Sequence, residues 1–122
     1  MTDAAENWVT LYRRAWDSNE PDDVRAAFTD DAIYRTEPWV DDPWVGIESI
    51  IENWIDSKDE PGDFTFEHDV IGTSGDRIFV QGVTDYRPSE GKLYYNLWVV
   101  ELAADGRARD FTEWYSTPSD DE

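Results

Sequence analysis

The chain has 122 residues, which suits one domain with its own core, because a folded chain of this size buries about 60 to 70 per cent of its extended surface. It has no cysteine and one histidine, His68, so disulfides, iron–sulfur clusters, thiolate or multi-histidine metal sites and a cysteine nucleophile are excluded. Its 10 basic and 29 acidic residues give a formal charge of −19, a field that repels nucleic-acid phosphates and anionic membranes.

Thr2 or Asp3 can cap a first helix running to about Asp17, and the acidic start suits the helix dipole. Along it Ala5, Trp8, Val9, Tyr12, Ala15 and Trp16 recur at spacings of three and four, forming one apolar stripe. Asn19-Glu20-Pro21 ends this helix and starts a short second one, with Pro21 in the favoured first turn, that stops near Phe28. Ala32 to Thr36 is predicted as a strand, closed by Glu37-Pro38, because proline pushes its predecessor out of helical geometry. A third helix follows Gly46, with Ile47, Ile50, Ile51, Trp54 and Ile55 on its buried side. After the breaker-rich loop Lys58-Asp59-Glu60-Pro61-Gly62-Asp63, four strands are predicted at Phe64–Thr73, Arg77–Arg87, Lys92–Leu102 and Arg107–Ser116. Ser74-Gly75-Asp76, Pro88-Ser89-Glu90-Gly91 and Ala103-Ala104-Asp105-Gly106 supply the turns between them. Three helices followed by a curled antiparallel meander make an α+β arrangement, with the helices covering one face of the sheet.

A single domain over residues 1–116 and a frayed acidic tail over 117–122 are expected. Seven tryptophans within a 15% aromatic content argue against disorder despite the charge. Two lysines against eight arginines and 29 carboxylates fit a surface adapted to high salt, with an ordinary acidic protein as the alternative. The start of the chain lacks the basic residues and apolar run of a secretion signal, and no stretch approaches the roughly 20 apolar residues of a membrane helix. A cytoplasmic protein without nucleic-acid or membrane partners is the expectation.

Side-chain alternation divides the strands by face. On the strand at Lys92–Leu102, Tyr94, Asn96, Trp98 and Val100 share one face, and Leu93, Tyr95, Leu97 and Val99 share the other. Both faces are mostly apolar while helices cover only one, so a second subunit packed sheet to sheet is the simplest cover and a homodimer is expected. Phosphate-cradling, dinucleotide, Gly-x-Ser-x-Gly, His-Glu-x-x-His and calcium-loop patterns are absent, so no cofactor and no specific metal site is expected.

Tyr12-Arg13-Arg14-Ala15-Trp16, Phe28-Thr29-Asp30-Asp31-Ala32, Thr36-Glu37-Pro38, Trp44-Val45-Gly46-Ile47-Glu48-Ser49-Ile50 and the closing run from Asp105 to Tyr115 carry a resemblance across nearly the whole chain. Together they resemble the nuclear-transport-factor-2-like superfamily, which includes ketosteroid isomerases and SnoaL-like polyketide cyclases. The resemblance implies a cystatin-like α+β barrel: a cone-shaped, curved, mostly antiparallel sheet wrapped around three N-terminal helices, with a deep pocket at the open end. It also implies roles. Tyr12 stands where the isomerases carry an oxyanion donor, and Glu37, just before a proline, stands at the place of their general base after a one-residue insertion. Their second donor, a protonated aspartate, falls on Trp98, a departure in which an indole N–H can still donate.

The same counting sets Tyr94, Asn96, Phe111, Glu113 and Tyr115 toward the pocket, in agreement with the alternation. Trp39 and Trp44 bracket a loop near the pocket mouth, as a lid over an apolar ligand or as anchors. Carboxylates, phenols and an amide in an apolar cleft suit cofactor-free isomerase, cyclase or hydrolase chemistry on a small, mostly apolar molecule. Glu37 or Glu113 would be the base, Tyr12 the oxyanion donor and Asn96 an orienting group. Trp39, Tyr94, Asn96, Trp98, Phe111 and Tyr115 would touch the ligand. Two alternatives stand beside this: a binder of a small apolar ligand without chemistry, and a protein-interaction domain. For Glu113 the structural alternative is an ion pair with Arg35 or Arg109, and His68, flanked by Glu67 and Asp69, reads as a surface histidine, with a proton-transfer role as the alternative.

Overall fold

The apolar stripe of the first helix faces inward as its spacing demands: α1 (Ala4–Ser18) buries Ala5, Trp8, Val9, Tyr12 and Ala15. The computed structural model describes residues 4–56, 64–87 and 91–117. The proposed capping residues Thr2 and Asp3, the loop from Lys58 to Asp63 and most of the acidic tail lie outside them. Asn19 ends α1 in the left-handed region (φ 56°), which asparagine tolerates, and its amide N–H reaches the Ala15 carbonyl at 2.8 Å. Pro21 then opens α2 (Pro21–Ala27), where the Glu20 carbonyl accepts the first helical hydrogen bonds from Asp23 and Val24.

Strand β1 (Phe28–Arg35) begins at Phe28 rather than at the predicted Ala32. Asp30 and Asp31 are poor strand formers, but both are exposed and sit where the pairing register shifts between Phe28 and Ile33. A two-residue strand that the sequence did not announce, β2 (Trp44–Val45), pairs with Tyr34 and Ile33 of β1. It leads into α3 (Ile47–Asp56), which buries Ile47, Ile50, Ile51 and Trp54. Ile55 is instead 40% exposed, because at about 100° per residue it stands a quarter turn off that stripe.

Strands β3 (Thr65–Ser74), β4 (Arg77–Asp85), β5 (Leu93–Leu102) and β6 (Ala108–Ser116) form the expected meander. The whole sheet has the order β2-β1-β6-β5-β4-β3 and is mixed, since β1 runs parallel to β6. It is not closed: β2 and β3 are its two edges. The helices pack on one face, against Ile78 and Val80 of β4, Trp98 and Val100 of β5 and Phe111 of β6. Trp8 centres that core, with ring centroids of Tyr12, Phe28, Trp98 and Phe111 all within 6.0 Å. No helix among the described residues is long and apolar enough to cross a membrane.

Candidate functional site

Between the helices and the inner face of the sheet lies a cavity of about 430 Å³, a volume usual for small-molecule sites. Tyr94, Asn96 and Trp98, successive inward residues of β5, make one wall, flanked by Thr84 of β4 and by Glu113 and Tyr115 of β6. Tyr12 and Trp16 of α1, Trp54 of α3, Tyr34 of β1 and Trp44 of β2 close it from the other side. Asn19, Thr36 and Tyr86 complete the lining.

Strand register assembles the polar centre. Glu113 pairs across the ladder with Trp98, and Asn96 with Tyr115, so three inward side chains meet. The Trp98 indole N–H donates to Glu113 Oε1 at 2.9 Å, and the Asn96 amide donates to Glu113 Oε2 at 3.0 Å. Thr84 donates its hydroxyl to Asn96 Oδ1 at 2.7 Å. That last bond fixes the amide, because with its oxygen occupied Asn96 must turn its NH₂ to the carboxylate. Phe66 supports the wall by stacking on Trp98 at 4.9 Å, over the bare backbone of Gly82, where a Cβ would meet the Phe66 ring at 2.5 Å.

The two arginines named as partners for Glu113 are engaged elsewhere: Arg35 binds Asp110 at 2.5 Å and Arg109 reaches Glu101 at 3.3 Å. Glu113 keeps some accessible surface because it faces the cavity, but its carboxylate is otherwise enclosed. Burial pushes its pKa up to about 7, against the opposing pull of the hydrogen bonds from Asn96 and Trp98. Above it, the Tyr12 and Tyr34 hydroxyls share a hydrogen bond of 2.9 Å. Burial, then the neighbouring Tyr34 and the negative charge of Glu113, hold the Tyr12 phenol well above its ordinary pKa. It is therefore a proton-bearing donor at neutral pH.

Of the residues singled out by sequence, Tyr12, Tyr94, Asn96, Trp98, Glu113 and Tyr115 line the cavity, and Glu37, Trp39 and Phe111 do not. Glu37 is exposed, carried to solvent where the chain turns after β1 and its carbonyl accepts from Val40. Trp39, in the left-handed region (φ 59°) and 85% exposed, packs edge-on against Trp114 at 5.4 Å. Phe111 is fully buried behind the lining, stacked on Tyr34 at 4.5 Å. Trp44, which brackets the loop with Trp39, lies inside, stacked on Tyr34 at 4.6 Å. His68 is exposed and contacts Glu6 of α1 at 2.8 Å. Sequence reasoning passed over Tyr34, Thr84 and Tyr86. Alternation from Ala32 and from Val80 marks the first two as inward, but their nearness to Tyr12 and Asn96 depends on strand order.

Fold and cavity define an α+β protein in which three helices pack on one face of an open, mixed six-stranded sheet around an internal cavity. The SnoaL-like domain model matches residues 9–115, and the chain belongs to that family. Its fold is similar to that of an NTF-2-like protein of unknown function from Burkholderia xenovorans, with a TM-score of 0.74 and 18% identity over 96% of this chain and 86% of that one. A ketosteroid isomerase-like protein from Erwinia carotovora atroseptica gives 0.63 and 21%, covering 93% and 94%. An LEH-like epoxide hydrolase from M. tuberculosis gives 0.64 and 19%, covering 93% and 83%. At such identities the likeness is one of fold. No curated protein matched the chain.

Proposed function

We propose that the cavity holds a small, mostly apolar molecule and that Glu113 exchanges a proton with it, in cofactor-free isomerase, cyclase or hydrolase chemistry. One observation carries this reading: a carboxylate held at both oxygens by neutral donors, away from Arg35 and Arg109, in an aromatic cavity. With a pKa of about 7 it is populated in both forms near neutrality, so it can take up a proton or deliver one. Asn96 orients it and Thr84 holds Asn96. Tyr12, with Tyr34 behind it, donates to negative charge developing on a bound oxygen.

The test uses 5-nitrobenzisoxazole, whose ring opens on loss of a single proton. Its conversion is expected to rise with pH through about 7, where Glu113 becomes the free base. Glu113→Gln lowers the rate about a hundredfold, and Glu37→Gln leaves it unchanged. A folded Glu113→Gln variant that retains the rate overturns the assignment, and tight retention of an unaltered ligand then favours the binder without chemistry.

We also propose the sheet-to-sheet homodimer. Phe79 and Val83 of β4 pair with Val99 and Tyr95 of β5, and Leu97 pairs with Trp114, placing all six on the face away from the helices. Tyr95 and Trp114 remain 47% and 38% exposed there, an apolar patch of the kind that marks an interface. Sedimentation equilibrium should give a dimer, and Trp114→Glu a monomer. A native protein that stays monomeric at high micromolar concentration refutes the pairing.

A further inference from the structure

We infer that the cavity is built for an organic cation, a protonated or quaternary amine carried on an apolar body. This rests on the reading of the cavity as a small-molecule site and narrows what that site takes. The lining is chemically selective. Every aromatic residue in it is a tryptophan or a tyrosine, and no phenylalanine, leucine, isoleucine or valine lines it among the described residues. The chain does not lack such residues: Phe28, Phe111, Val80 and Val100 are fully buried in the adjoining core. An uncharged hydrocarbon would be served equally well by those side chains. Electron-rich indole and phenol rings are distinguished by the negative potential over their faces, which attracts cations.

Charge points the same way. The cavity has one carboxylate, Glu113, and no lysine, arginine or histidine among the described lining residues, so an anion would meet repulsion and no counter-charge. An ammonium entering the site loses its water but gains Glu113 and the surrounding rings, which offset that cost. Trp16 is left out of this count because it already carries the Arg13 guanidinium at 5.2 Å. Tyr34 is left out too, because Trp44 and Phe111 both stack on it, and the other lining rings come from α1, β2, α3, the residue after β4, β5 and β6. The formal charge of −19 adds a long-range field that concentrates cations near the molecule.

Binding should follow the ionisation of Glu113. The other titratable groups lining the site are phenols, Tyr12 from α1, Tyr34 from β1, Tyr86 after β4, Tyr94 from β5 and Tyr115 from β6, and phenols are ordinarily uncharged between pH 6 and 8. Glu113 passes from mostly protonated to mostly ionised across that interval. Affinity for a cation therefore tightens about tenfold from pH 6 to 8.

The experiment compares phenyltrimethylammonium with tert-butylbenzene, its neutral isostere, by quenching of tryptophan fluorescence at constant ionic strength. The cation is expected to bind at least about tenfold more tightly than the isostere at pH 8, and only the cation should show the pH dependence. Glu113→Gln should remove that pH dependence and most of the preference. Trp44→Phe, which leaves the carboxylate network intact, should weaken the cation and not the isostere. Equal or tighter binding of tert-butylbenzene overturns the cation assignment while leaving the small-molecule pocket standing. Saturable binding of neither compound overturns both.

Discussion

Trp8→Ala is expected to destabilise the protein by about 3 to 5 kcal/mol, a large part of the roughly 5 to 15 kcal/mol that holds a domain folded. Trp8 has no exposed surface and is ringed by Tyr12, Phe28, Trp98 and Phe111. Alanine leaves a void whose walls come from α1, β1, β5 and β6, and no single element can move to fill it. The indole also makes a polar contact: its N–H donates to the Ala27 carbonyl at 2.9 Å, one of the carbonyls left without a helical partner where α2 ends. Trp8→Phe keeps most of the ring and loses that bond, so about 1 to 3 kcal/mol is expected from the unpaired carbonyl. Urea unfolding of the two variants separates the terms. A Trp8→Ala protein within about 1 kcal/mol of the native one would contradict the central place given to this side chain.

Glu113→Gln should make the protein more stable at pH 8 than it is with the native residue. The carboxyl titrates at about 7 in the folded chain against an ordinary 4.5. Between those values the unfolded chain has released the proton and the folded chain still holds it, so folding loses free energy as pH rises through that window. The loss is complete above about pH 7 and amounts to about 3 kcal/mol. At pH 4.5 and below, both states are protonated and the contribution disappears. Glutamine has no such dependence, but its NH₂ must face one of two donors, Asn96 or Trp98, which costs about 1 kcal/mol at every pH. The difference between native and variant should thus change sign between acid and pH 8, as read by denaturant titration at a series of pH values. Parallel curves would show that Glu113 does not titrate near neutrality. A carboxylate that strains the fold where it is ionised is what a proton-transfer site requires.

Much of this was legible in local pattern. The spacing of Ala5, Trp8, Val9, Tyr12 and Ala15 identifies the buried side of α1, and those residues are buried. Asn19 and Pro21 mark the helix break, and alternation sorts Trp98 and Val100 from Leu97 and Val99 on β5. Each of these is a property of neighbours within about one turn or one strand, where helix and strand periods act directly. The start of β1 was not legible, because Asp30 and Asp31 are tolerated only by the irregular pairing with β6, which lies at the far end of the chain.

The amino-acid sequence by itself determined the helices, the meander, their inward faces and the absence of cysteine chemistry. Tertiary structure alone decided which carboxylate occupies the cavity. Glu37 and Glu113 are chemically alike, and nothing local separates them. The turn after β1 sends one to solvent. The β5–β6 register sets the other beside Trp98 and Asn96, while Arg35 and Arg109 are drawn to Asp110 and Glu101. Such a choice depends on distances between residues far apart in the chain, which periodicity does not encode.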